Sequence, residues 1–181
     1  MVEALAHAQR LPDLVVVDLA LQDGSADEII RAVRALPSPA GDVPMVACAG
    51  EPADRGGLFD AVLSDHLDPA AMTAAIMLWS PVGLLDGITR LAEVFGASEI
   101  DALTVRFRTQ LAQGVVALDT TPDRGAAHRI AGIAGTLGFA SLGQRWLAVS
   151  EGDGTMCEAA RRESRIVLHA LARAAQARGL Y

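Results

Sequence analysis

The chain is short of aromatic residues, at 4% of 181, although 51% of it is hydrophobic. Any core it buries must therefore be aliphatic. It is also short of positive charge, with a formal net charge of −7. That excludes a dedicated nucleic-acid binder, which needs clustered basic side chains to meet phosphates. Its two cysteines, Cys48 and Cys157, lie far apart and lack metal-type spacing. They read as reduced thiols of a cytoplasmic protein. No His-x-x-x-His or Cys-x-x-Cys pair occurs, so no metal site is expected among this chain's own residues. His7, His66 and His169 have no partner at ligand spacing. Nothing matches the Gly-x-x-x-x-Gly-Lys-Ser/Thr loop of ATP-binding proteins or the Gly-x-Ser-x-Gly elbow of hydrolases. No basic segment followed by an apolar run opens the chain, so no signal peptide is expected. The long uncharged run from Pro69 to Leu85 is short for a membrane span and contains Thr73, Ser80 and Pro81. It reads as a buried helix and a helix junction in a soluble protein with no membrane partner.

What is present divides into two halves. In the first, strand and helix patterns alternate. Met1 to Arg10 has a helical look. Leu14-Val15-Val16-Val17-Asp18-Leu19 is a β-branched apolar run, as expected of a strand buried on both faces. Ser25 and Glu28 form a capping box for a helix through Ala35. Val43 to Cys48 and Asp60 to Leu63 read as further strands, with a weaker helix around Asp54 to Leu58 between them. Asp68 and Pro69 open a helix reaching Leu78. This alternation predicts a three-stranded parallel sheet covered by helices over residues 1–79.

The second half, residues 80–181, is helical throughout. Ser80-Pro81 marks its start, and Leu84, Ile88, Leu91 and Phe95 form a first stripe. Ser98 is read as the cap of the next helix, whose stripe runs Ile100, Leu103, Phe107, Leu111, Gly114 and Leu118. Thr121 and Pro122 are read as the opening of a third helix. Ser141 with Gln144, and Thr155 with Glu158, are read as capping boxes of the last two. The fourth helix should bury Leu142 and Leu147, and the last Ala160, Val167, Leu171 and Ala174. Short loops between helices predict an up-and-down four-helix bundle.

His128 is the residue that stands out. At about 100° per residue, Ala126, Ile130, Ile133, Ala134 and Leu137 fill one arc of its helix, and His128 points away from that arc. Gly132 and Gly135 flank it on the same side. Each glycine costs a helix roughly 1 kcal/mol against alanine, so the pair suggests a surface cleared for close approach.

The segment from Gly125 to Gly138 resembles the phospho-accepting segment of a histidine phosphotransfer domain. That family has an exposed histidine, a lysine three residues on, and glycines four and ten residues on. Gly132 and Gly138 match, and Ala131 stands where the lysine is usual. The resemblance covers roughly Val82 to Gly179. It implies a phosphorelay intermediate in two-component signalling, with His128 accepting and returning a phosphoryl group. The partners implied are receiver domains of response regulators or hybrid histidine kinases, and the Mg²⁺ that assists transfer belongs to the partner. Arg124, one turn before His128, is the candidate for supporting the phosphoryl charge in place of the lysine. Ala131, Gly132 and Gly135 are expected to form the docking surface.

The first half, roughly Val2 to Met77, resembles a receiver domain that lacks its first two strands, its first helix and the acidic pair they carry. Asp18 stands where the phosphate-accepting aspartate would be, Ala49 in place of a Ser or Thr, and Asp65 in place of a lysine. A like charge thus replaces the counter-charge beside any phosphorylated Asp18. One aspartate cannot furnish the oxygen ligands Mg²⁺ needs. This half therefore reads as a degenerate receiver, kept for shape or dimerisation. Without the missing strands the Leu14 to Leu19 strand is an apolar edge, which a second copy of the chain would cover in a homodimer. Two other readings remain: a docking module that has lost phosphotransfer, and an internal relay between Asp18 and His128.

Overall fold

The computed structural model describes residues 12–19, 26–37, 40–48, 59–63, 68–79, 83–120 and 122–178. The chain forms two compact units, Met1–Val82 together with Ala172–Tyr181, and Gly83–Leu171.

The first unit is built on three strands, β1 (Val15–Asp18), β2 (Met45–Cys48) and β3 (Ala61–Leu63). They lie side by side in chain order and both pairings are parallel. Val15 is opposite Met45 and Asp18 opposite Cys48, while Val46 is opposite Ala61. Helix α1 (Ala26–Arg34) buries Ile30 and Val33, and these join Val43, Met45, Ala47 and Phe59 in an aliphatic core. All four residues of β2 are buried, as a central strand between covered faces should be. β1 was expected to be buried on both faces and is not: Val16 is exposed and its neighbours half-buried. Among the described residues it has one neighbouring strand, so its burial is that of an edge.

A charged knot ties α1 to the sheet. The Arg34 guanidinium donates to the carbonyls of Gly41 and Val43, each at 2.8 Å, and meets Asp60 Oδ2 at 2.6 Å. That same oxygen accepts the Met45 N–H at 2.8 Å. Asp60 is buried, and a buried carboxylate is tolerated only when paired in this way.

Helix α2 (Pro69–Trp79) opens as its sequence requires, with Asp68 Oδ1 accepting the Ala70 N–H at 2.9 Å. The expectation of a buried helix fails, because Met77 is 63% exposed and Ile76 is exposed too. A helix apolar on every side has no polar face to mark which side meets water, so composition alone overstates its burial. The remainder of this unit comes from the far end of the chain, where Ala172 lies with Ala40 and Leu36, and Arg173 pairs with Asp13. Ser25, the segment from Asp54 to Leu58, His66 and the Met1 to Arg10 helix fall outside the described residues.

The second unit is helical: α3 (Asp86–Phe95), α4 (Ala97–Ala117), α5 (Arg124–Thr136), α6 (Ala140–Glu151) and α7 (Cys157–Ala177), whose residues through Leu171 belong here. The stripe on α4 is as expected, with Ile100, Phe107, Leu111, Gly114 and Leu118 buried and Leu103 packed beside them. A Cβ on Gly114 would come within 2.5 Å of Ile130 Cδ1 and 2.9 Å of the Trp146 ring, so this glycine is room for two large side chains. Trp146 Nε1 donates to Ser164 Oγ at 3.0 Å, which in turn donates to the Ala160 carbonyl at 2.6 Å. Phe107 and Phe139 stack at 5.7 Å. Among the described residues no helix is long and apolar enough to cross a membrane.

Helix starts differ from the expected caps. Asp123 caps α5, its carboxylate accepting the Gly125 N–H at 2.8 Å, and Thr121 lies outside the described residues. α4 starts directly after Gly96, so Ser98 lies inside it. Ser141 bonds Glu163 instead of capping α6. Thr155 does not cap α7 but lies in a 3-10 turn, Gly154–Met156, just before it, where Asp153 is the cap and accepts the Thr155 N–H at 3.0 Å. An aspartate or serine within two residues can serve equally well, and packing decides where the helix begins. Phe95 and Leu147, expected inward, are exposed.

The turn from α5 into α6 fixes the end of the histidine-bearing helix. Gly138 has φ +92°, and its N–H bonds the Gly135 carbonyl while the Phe139 N–H bonds that of Ala134. This is a Schellman closure with glycine in the left-handed position. A Cβ there would lie 3.1 Å from Gly87 Cα on α3, so two backbones meet where both residues lack side chains. Gly138→Ala should destabilise this unit by about 2 kcal/mol from the left-handed backbone alone, read as a lower midpoint in urea.

Candidate functional site

The site is the exposed face of α5. The helix buries Ala127, Ile130, Ala131, Ala134 and Leu137, while Ala126 and Ile133 are half-buried. The buried arc is thus rotated toward Ala127 and Ala131 from the one read off the wheel. Its cause is α6. Gly143 sits so close that a Cβ on it would be 3.1 Å from the Ala131 carbonyl oxygen and 3.3 Å from the Gly135 nitrogen. A glycine at a helix crossing lets two backbones approach, and the facing alanines go inside. Ala131 therefore does not belong to a docking surface, as expected from its place in the motif. It is core.

His128 is exposed. With the arc re-centred it lies about 120° from the middle of the buried face, on the flank toward α6 and not opposite the core. Gly132 and Gly135 are exposed beside it, and a Cβ added to either would meet nothing within 4 Å. These two differ in kind from Gly87, Gly114, Gly138 and Gly143, each of which has a neighbour pressing on the missing side chain. Among the described residues nothing presses on the missing side chain of Gly132 or Gly135.

Apart from His128, the basic side chains of α5 and α6 are arginines, and the sequence contains no lysine at all. Arg124 opens α5 one turn before His128 and is exposed. Its guanidinium rests against Gly152 (φ +99°), where a Cβ would meet Nη2 at 2.6 Å. Among the described residues it has no carboxylate partner. Arg129 approaches Asp123 at 3.9 Å with both side chains largely in water, a contact of little energetic weight. Arg145 is engaged by Glu163. Of these three, Arg124 is the one whose charge is not already answered.

Asp18 ends β1 and is half-buried. Burial raises the pKa of the Cys48 thiol across from it, and the Asp18 charge raises it further, which keeps that thiol protonated and unreactive. Ala49 and Asp65 lie outside the described residues. His169 is buried on α7. Among the described residues no three metal-ligating side chains cluster. The sequence alone did not single out Gly143 or the Arg34–Asp60 pair; a glycine in mid-helix was the available signal for the first.

No family model matches the chain, and neither curated proteins nor solved structures provide a match.

Proposed function

We propose that the helical unit is a phosphohistidine carrier, a histidine phosphotransfer domain of up-and-down bundle type, with His128 as acceptor and receiver domains as partners. The observation carrying this reading is the pairing of an exposed His128 with two open glycines on one face of α5. An unprotonated imidazole nitrogen is nucleophilic at neutral pH. Its lone pair forms the N–P bond as the acyl-phosphate P–O bond of a partner phospho-aspartate breaks, and the bonding pair leaves on the carboxylate. The other ring nitrogen releases its proton to water. Return of the group to a second receiver reverses these steps. Mg²⁺ would be held by the partner's carboxylates, so this chain contributes an oriented nucleophile, a clear approach and one nearby cation. That cation is Arg124, which suits a phosphoryl group through its forked donors.

The test is phosphotransfer from receiver domains of the same cell, scored by an acid-labile, base-stable label. Replacing both Gly132 and Gly135 with Gln separates clearance from folding. Each change should stabilise α5 by about 0.5 to 1 kcal/mol, while transfer should fall by at least about tenfold because the partner can no longer reach attacking distance. Unchanged transfer in that double variant would count against the reading. A second reading, a docking module without chemistry, draws on the burial of Ala131, which removes the usual lysine position from the surface. It predicts receiver binding without label.

A further inference from the structure

Helix α4 carries two apolar stripes, and the core uses one. The second runs Ala102, Val105, Thr109, Ala112 and Val116, spaced three, four, three and four residues apart. That is the alternation of a coiled-coil seam. Most of it is turned away from the interior: Val105 is 57% and Val116 71% exposed, and Ala102 and Thr109 are exposed, while Ala112 is half-buried against the core. Val105 and Val116, about three turns apart, are open branched apolar side chains that the fold does not need. The one polar member is already provided for, because Thr109 Oγ1 donates to the Val105 carbonyl at 3.1 Å. Its hydroxyl can be covered without leaving a donor unpaired.

The charges beside this seam identify the occupant. With Ala102, Thr109 and Val116 in the first core position of the heptad and Val105 and Ala112 in the second, Asp101 flanks the seam on one side. Arg106, which is exposed, flanks it on the other. The two are five residues apart, the separation at which opposite flanks of neighbouring helices face each other in a parallel pair. A second copy of α4 laid parallel to the first sets Asp101 of each chain against Arg106 of the other, twice over by symmetry. We infer that α4 is a homodimer interface, joining two copies of this chain in parallel through the Ala102–Val116 seam. His128 lies on another helix and is not part of the seam.

Such a seam is short and rich in alanine, so the dimer is weak, with a dissociation constant on the order of tens to hundreds of micromolar. Sedimentation equilibrium of the full chain over that range should show reversible dimerisation. Val105→Glu with Val116→Glu should abolish it without lowering the unfolding midpoint. Asp101→Arg alone should weaken association at least about tenfold. Combined with Arg106→Asp it should restore most of that loss. A chain monomeric throughout the range overturns the proposal. So does a dimer that survives the two glutamates, or one that is lost instead on Val16→Lys in β1, which would place the contact on the sheet. Binding of a receiver domain that is abolished by the two glutamates would assign the seam to that partner and overturn it equally.

Discussion

A His128→Gln chain should take no phosphoryl group from any receiver domain that labels the unchanged protein, a loss of at least about 1,000-fold in transfer rate. Glutamine is close to histidine in size, tolerates a helix, and can still donate and accept hydrogen bonds. It has no lone pair of comparable basicity to attack phosphorus. Because His128 is exposed and makes no part of the core, the change should leave stability within about 0.5 kcal/mol. Loss of transfer therefore reads directly as loss of the nucleophile. Receiver binding should persist, since Gly132 and Gly135 are untouched. A variant that still acquires acid-labile label would move the acceptor elsewhere and end the proposal.

The largest effect on stability is expected at Asp60. Asp60→Ala removes the counter-charge of Arg34 and the acceptor of the Met45 N–H in one step. The guanidinium keeps its two carbonyl partners but stays largely buried after losing the carboxylate it met at 2.6 Å. Breaking such a pair from one side costs about 3 to 5 kcal/mol. Asp60→Asn keeps an oxygen for the amide and the guanidinium, so it should cost less than alanine. Two units make a single unfolding midpoint ambiguous. The informative measurement is hydrogen exchange at the amides of β2, where protection should fall in the order wild type, Asn, Ala. Equal protection in all three would mean the charge is neutralised by water and not by Asp60.

Legibility in the sequence followed side-chain size. The core stripe of α4 was readable because Ile100, Phe107 and Leu111 are large, and large apolar residues at helical spacing have one place to go. The strands were readable from their β-branched runs, though whether β1 is covered on both faces depends on what lies beyond it. The arc of α5 was harder. Its alanines fall on several sides of the helix, and only the close approach of α6 at Gly143 decides that Ala127 and Ala131 go in. The same ambiguity misplaced the surface role of Ala131. Caps were harder for a related reason: several Ser, Thr and Asp residues stand within a few positions of each helix start, and any of them can accept a free N–H. The exposed histidine was legible because both versions of the arc leave it outside.

The back-to-back glycines of α3 and α5 set a historical constraint as well as a mechanical one. Gly87 and Gly138 touch through bare backbone, so neither gains a side chain while the other keeps its place. Related chains should vary at these positions jointly, or not at all. Among the described residues, nothing stands where a side chain on Gly132 or Gly135 would go. If they are kept for a docking partner, as proposed, the pressure to retain them should relax in lineages where that partner has been lost.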